Sequence, residues 1–516
     1  MLRSMYSGVA GLKVHQTRMD VIGNNIANVN TTAYKYQTIN FSDVMYQTSQ
    51  AASGSTTTTG GVNAKQIGLG AINASISTAI TQEGSTQTTN NAFDMAISGK
   101  SFFMVNDGSG TKYTRDGSFY IDGDGNLAMQ STGYYVQGWG VQEDPATGVR
   151  TINKNGGIGK LSVLTKEAQT YPPEATGAGM ISGNIDKNDS DITSSAGKTV
   201  QYEFYDNRGY TYTATFKLKD IRTPAGTSPS GEQLYNIEPG KYTMELIDIT
   251  DSTGKSIRTK NDGTQYTWAQ LGVEFGSIGA YGSNPSNKVT LNYNTRTGTY
   301  SGYKDDADEL DTTKPGYTTV KLKFDNATIT NNINSTSDKE LKEKLSAIKA
   351  MGLDTDNTTT GIYQIDLNLK NSSNTDTSGR ATIKTSRGNE KNGYAGRRVG
   401  TISGVNVSQD GKITATYTNG QTRLLGQIAV AQFANASGLS KEGENLYAAT
   451  LNSGDASVMD VSEDGGKINT GVLEMSNVDL SGEFTSMITA QRGFQANSRI
   501  ITVSDTLLEE LTNLKR

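Results

Sequence analysis

The sequence predicts an α+β chain that is mainly β, with one helix at each end. Three observations carry this prediction. Oily residues recur every seven positions at both termini, Asp-Gly turns punctuate short strand-like runs between them, and Thr, Ser, Asn and Gly replace charge throughout the middle. At roughly 100–200 residues per domain, 516 residues allow about three to five domains. Charged residues make up 19% and prolines number only 8, so the low apolar fraction reflects turn-rich, neutral-polar β protein and not charged disorder.

The N-terminal helix is expected from Leu2 to about Val29. Met5, Leu12, Met19 and Ile26 are spaced by seven, and Val9, Ile22 and Val29 widen the stripe. At the other end Leu480, Met487, Phe494, Ile501 and Leu508 repeat the spacing, with Phe484, Ile488 and Leu511 beside them. Seven is the coiled-coil period and favours a narrow seam between helices, although two ordinary amphipathic helices on a core fit the pattern equally well. Ser476 or Asn477 is expected to cap the second helix, with Asp479 complementing its N-terminal dipole and Lys515 and Arg516 its C-terminal end. So narrow a seam leaves an isolated helix pair marginal, which predicts ends that are disordered in the monomer and fold on assembly.

The Ser/Thr/Gly tract Gln47–Gly61 reads as a flexible or loosely β linker. From Ala71 the pattern turns to strands, clearest from Ser101 to Leu127, where Asn-Asp-Gly, Asp-Gly and Asp-Gly-Asp-Gly-Asn turns separate apolar runs. Tyr171-Pro-Pro-Glu174 marks a boundary. Beyond it, Tyr202–Tyr205 and Tyr210–Phe216 form a hairpin about Asp206–Gly209. A helix is expected at Asp338–Met351, with Ser337–Glu340 as capping box, Leu341, Leu345 and Ile348 on one face, a Glu340–Lys344 pair, and Gly352 as stop. Hairpins resume near Arg398, and Gln427–Phe433 reads as a buried strand. The expected organisation is a helical domain of 1–32 plus 476–516, a flexible linker of 33–70, a β domain of 71–165 plus 396–475, and a β-rich insert of 166–395 in one or two domains.

Composition excludes much chemistry. With no cysteine and a single histidine, His15, the chain has no disulfide, thiol nucleophile, iron–sulfur cluster or multi-histidine zinc site. Net charge is −5, which argues against a nucleic-acid surface. No apolar run approaches the roughly 18 residues of a membrane span, and the first residues lack the apolar block of a cleavable signal. Asp122, Asp124 and Asn126 match the start of a calcium loop, but Leu127 stands where glycine is needed and Gly133 where glutamate is needed, so a hairpin turn is expected. Asp186–Asp191 fails the same test, and Gly156–Lys160 lacks both the spacing and the hydroxyl of a phosphate loop. The acidic run Asp305–Asp311 reads as a solvated loop, the Asn334-Ser-Thr sequon as chance, and His15 as a packing or surface residue. No constellation supports an enzyme, and no cofactor or metal is expected.

Ser7–Lys35, centred on Asn24, Asn25, Ile26, Ala27, Asn28, Val29, Asn30 and Thr31, resembles the N-terminal motif of the bacterial flagellar rod and hook proteins. Leu473–Arg499 is similar to the matching tail motif, and Phe102–Trp139 and Gln427–Tyr447 resemble the inner β domain of that family. The resemblance implies a homopolymer in which terminal helices of many copies form an inner tube around an export channel. The inner β domain surrounds that tube and the insert faces outward as an outer β-rich domain. It implies an extracellular, flagellar location, export through the flagellar type III apparatus without signal cleavage, and contact with rod, hook-cap and hook–filament junction proteins. No nucleic acid and no membrane insertion are implied. The long insert resembles the hook branch, whose curved tube passes torque as a universal joint. A distal rod subunit is the alternative, and a surface glycan-binding module, prompted by the Tyr-rich middle, is the remote one. Ala33 departs from the Gly of many relatives, and the missing cysteine removes the Cys-derived lysine cross-link of some spirochaete hooks.

Overall fold

The computed structural model describes residues 2–144, 149–227, 233–276, 287–305, 318–351, 362–389 and 393–514. Two compact units emerge. The first comprises 1–169, 402–417 and 422–516; the second comprises 170–401 and 418–421. The second therefore begins four residues after the expected insert boundary at 166, and its main segment ends six residues after the expected 395.

The first unit contains both terminal helices, Leu2–Ala27 and Leu480–Asn513. Asp479 caps the second helix by accepting the N–H of Ser481 at 3.0 Å. This displaces the expected Ser476 or Asn477, because Asn477 is occupied elsewhere. Lys515 and Arg516 lie outside the described residues. The β body is an antiparallel sheet ordered Gly400–Val407, Lys412–Tyr417, Thr422–Ile428, Tyr135–Trp139, Phe102–Asn106, Thr111–Thr114, Leu446–Ala448 and Ser440–Gly443. Sequence-distant strands are thus neighbours, and the insert leaves the sheet between two of its parts. Alternation in these strands places Phe103, Val105, Val136, Ile413, Ile428 and Val430 in one core. Each such side chain contributes roughly 1.5–3 kcal/mol of burial. Phe102, Tyr113, Phe433 and Tyr447 meet edge-on in a second cluster.

The Asp122 loop is a turn closed by its own backbone: its carboxylate accepts the N–H groups of Asn126 at 2.6 Å and Asp124 at 3.1 Å, and Gly125 takes φ +83°. The stretch expected to be a flexible linker differs more. Gln37–Asp43 pairs with Ala71–Thr78, and Tyr46–Gln50 with Lys65–Gly68, all antiparallel. Residues 33–70 therefore fold back as ribbon around the Ser/Thr/Gly tract.

The second unit has two sheets over one core. An antiparallel sheet runs Lys198–Tyr205, Thr211–Thr227, Gln233–Asp251, Lys288–Tyr293 and Tyr300–Asp305. A mixed sheet runs Val273–Phe275, Thr319–Asp325, Ile362–Asn368 and Ala178–Asn184, the last two parallel. The wholly buried Phe204, Phe216, Phe275, Phe324 and Tyr363 belong to a single cluster. The expected helix is Lys339–Ala350, with Leu341, Leu345 and Ile348 buried. Its cap is Asp338 and not Ser337: the carboxylate takes the N–H groups of Glu340 and Leu341. Glu340 accepts the N–H of Asn261 and Lys344 donates to the carbonyls of Ser256 and Thr259, while the Glu340 charge still acts on Lys344. A second helix, Asn326–Ser335, starts on the Asp325 cap. Gly352 and residues 306–311 of the acidic run lie outside the described residues.

Candidate assembly site

The two terminal helices pack on each other, and glycines decide how closely. A methyl on Gly11 would stand 2.6 Å from the Asn497 amide, one on Gly8 3.2 Å from Ile501, and one on Gly493 2.5 Å from the His15 ring. Glycine inside a helix costs up to about 1 kcal/mol, so its presence facing a neighbouring side chain marks a close crossing. Val14, Val21, Ile22, Ala490 and Ser504 are buried. Burial and the nearby positive Arg18 push the His15 pKa below its ordinary value.

Of the heptad residues predicted from sequence, Met5, Leu12, Met19, Ile26, Met487, Phe494, Ile501 and Leu508 are only half-buried, and Leu480 is exposed. Beside them Tyr6, Val9, Phe484, Ile488, Ile500, Val503, Leu507 and Leu511 are exposed outright. The contact closes on smaller residues than the heptad pattern predicts. Gly11 and Gly493 have Ser7, His15, Thr489 and Asn497 one turn away, so no apolar stripe marks them in the sequence.

The motif Asn24–Thr31 makes the turn at the helix end. Asn25, nearly wholly buried, donates to the Gln37 carbonyl at 2.8 Å and accepts the Gln37 N–H at 3.0 Å and the Tyr34 hydroxyl at 3.2 Å. Asn24 donates to the same hydroxyl at 3.3 Å, Asn28 donates to the Asn24 carbonyl at 2.9 Å, and Thr31 donates to Asn28 at 3.1 Å. Burial and the negative charge of Glu483 raise the Tyr34 pKa, which keeps this hydroxyl protonated as a donor. Ile26 and Val29 are half-buried, while Ala27 and Asn30 face solvent. Ala33 sits at φ +54°, a left-handed conformation that glycine adopts without penalty. On the other crossing, Asn477 accepts the Tyr36 N–H at 2.8 Å and donates to the carbonyls of Ala79 and Gln82. The amide motif is thus a backbone-satisfying joint.

The ribbon that replaces the expected linker lies along the N-terminal helix: Asn73 donates to Thr17 at 3.0 Å, and Gly70 abuts Ala10. It exposes Phe41, Met45, Tyr46, Ile67, Ile72 and Ile76. Together with the open helix faces, this is far more exposed apolar surface than scattered single residues would give. No described helix is long and apolar enough to cross a membrane.

Paired terminal helices, amide-closed joints and open apolar faces make up the candidate assembly site. Three family models match it: the flagella basal body rod protein over 5–35, the flagellar hook protein FlgE/F/G D1 domain over 96–159, and the flagellar basal body rod FlgEFG protein C-terminal region over 469–514. The chain is 33% identical to the flagellar hook protein FlgE of Treponema pallidum and 33% identical to that of Borreliella burgdorferi, in each case across the full length of both proteins. It is 26% identical to the flagellar basal-body rod protein FlgG of Bacillus subtilis, again over both whole chains. The chain belongs to the flagellar hook and rod protein family of FlgE, FlgF and FlgG.

Proposed function

We propose that this chain is the structural subunit of the bacterial flagellar hook, polymerising into a curved, hollow tube that passes motor torque to the filament. The observation that carries the reading is the half-buried heptad set on the two helices, with a second exposed apolar row beside it. One helix pair cannot bury both rows, and neighbouring copies in a tube can. The full-length likeness to two FlgE hook proteins and the large second unit favour hook over rod. Met5, Leu12, Met19, Ile26, Leu480, Met487, Phe494, Ile501 and Leu508 form the self-assembly seam, and the Asn24–Thr31 motif fixes where the first helix ends.

The helices line the tube and the β body surrounds them. Narrow apolar seams hold the axial contacts, while polar β surfaces slide at small energetic cost, so the tube bends yet resists twisting. The ends are disordered before assembly, which suits threading through the flagellar type III export apparatus without signal cleavage. Rod, hook-cap and hook–filament junction proteins are the neighbours. Electron microscopy of polymer grown from purified subunit tests the reading: short, curved, hollow tubes are expected, and straight rigid rods would instead favour the distal rod alternative, which the match to the rod protein FlgG motivates.

A further inference from the structure

Three charged side chains are buried together where both terminal segments meet the β body. Lys35 and Arg115 are 0% exposed and Glu474 is 3% exposed. The Lys35 ammonium donates to Glu474 Oε1 at 2.6 Å and to the Gln82 carbonyl at 2.6 Å, and the same carboxylate oxygen accepts the Gly84 N–H at 3.0 Å. Arg115 approaches Glu474 Oε2 at 3.8 Å, donates to the carbonyls of Ile97 at 3.2 Å and Gly99 at 2.6 Å, and lies over the Phe102 ring. Arg115 Nε and Glu474 Oε2 find no hydrogen-bond partner among the described residues.

Two buried cations on one anion are a poor source of stability. Apolar residues of similar volume often serve as well or better. What such a cluster can supply is uniqueness, as single buried polar groups do in coiled coils. Here the three charges come from separate parts of the chain. Lys35 follows the N-terminal motif, Arg115 stands on the β body, and Glu474 precedes the C-terminal helix. The Ala33 N–H also bonds the Glu474 carbonyl at 2.8 Å, so the two crossing segments are tied by main chain and by charge at one place.

We propose that Lys35, Arg115 and Glu474 are positioning residues for assembly: they admit a single register of the two crossing segments, so that every copy presents the same joint helical surface to its neighbours. This rests on the polymer reading above. A slip of either segment leaves a buried charge without its counter-charge.

The test uses the full chain and separates folding from assembly. Trp139 fluorescence follows melting of the β body, while sedimentation and electron microscopy give the critical concentration and tube shape. Glu474→Gln is expected to raise the critical concentration by at least about tenfold. The apolar triple variant Lys35→Met/Arg115→Met/Glu474→Met is expected to melt close to the parent yet give no tubes, or tubes of mixed curvature. If it assembled at the parent's critical concentration with the parent's uniform shape, the cluster would be a stability element only and the proposal would be overturned. Should the triple variant not fold, Lys35→Arg decides on the same two readouts, since it keeps the charge but shifts its position: altered tubes support the register role and unchanged tubes refute it. Straight parent polymers would sink the hook assignment and leave this test intact, because it is read against whatever polymer the parent forms.

Discussion

Phe204, Phe216, Phe275 and Phe324 of the second unit are wholly enclosed, whereas Phe484, Ile488, Ile500, Val503 and Leu507 on the C-terminal helix lie open to solvent. The second unit closes its apolar surface on itself with two sheets and the helices packed against them. The terminal helices bury a glycine-lined crossing with Val14, Val21, Ile22 and Ala490 and leave much of their remaining apolar surface exposed. The difference teaches where a substitution should act: in the second unit on the stability of one molecule, on the helices on the association of many. The two tryptophans, Trp139 in the first unit and Trp268 in the second, allow each to be read separately.

Removing residues from Val478 onward should have the largest effect. It deletes the C-terminal helix while sparing Asn477 and its bonds to Tyr36, Ala79 and Gln82. A soluble, folded β protein that forms no polymer at any concentration is expected by sedimentation. Polymer from this truncation would end the distinction between the two regions.

Next comes a matched pair. Phe324→Ala should destabilise the second unit by about 3–5 kcal/mol through the cavity it leaves, measured as a shift in Trp268-detected unfolding. Phe494→Asp should leave that transition in place and abolish assembly. An equal loss at Trp268 in both variants would show that the helices share the second unit's stability.

A smaller effect follows from His15, packed against Gly493 with Nδ1 unpartnered among the described residues. Burial and the positive Arg18 hold its pKa below the ordinary 6.5. Folding therefore favours the neutral ring. The helix pair keeps this contribution above pH 6.5 and loses it as pH falls below that value. Critical concentration should rise between about pH 8 and pH 5, and His15→Gln should flatten the rise. A variant with the parent's full pH dependence would assign the effect to other groups.

Much of this architecture was legible in the sequence. The heptads marked both helices, Asp-Gly turns marked the β hairpins, and the Leu341, Leu345, Ile348 spacing marked a buried helical face. Two features were hidden for physical reasons. The ribbon of 37–78 has a polar Ser/Thr/Gly tip and strands whose alternation is blurred because both faces stay open. The helix Asn326–Ser335 is built from Asn and Thr, poor helix formers, and forms because Asp325 caps it and Ile329 is buried. Half of the candidate site was readable as well. The heptad residues of the proposed seam stood out by period, while the glycines at the crossing, and the pairing of Lys35 with Glu474 across most of the chain, needed three dimensions.

The smallest predicted effect concerns Ala33, which holds a left-handed backbone conformation. Its φ of +54° costs an L-residue roughly 1–2 kcal/mol. Ala33→Gly removes that strain but forfeits a buried methyl worth about 0.8 kcal/mol and gives the unfolded chain about 0.5–1 kcal/mol of extra freedom. The terms nearly cancel, so Trp139-detected unfolding should move by less than about 0.5 kcal/mol. Ala33→Val, a β-branched residue at positive φ with no room for its added methyls, should cost more than about 1 kcal/mol and raise the critical concentration with it. If the glycine variant were as damaged as the valine one, the Ala33 methyl would be filling space that the left-handed turn needs, and the joint would be governed by packing and not by backbone strain.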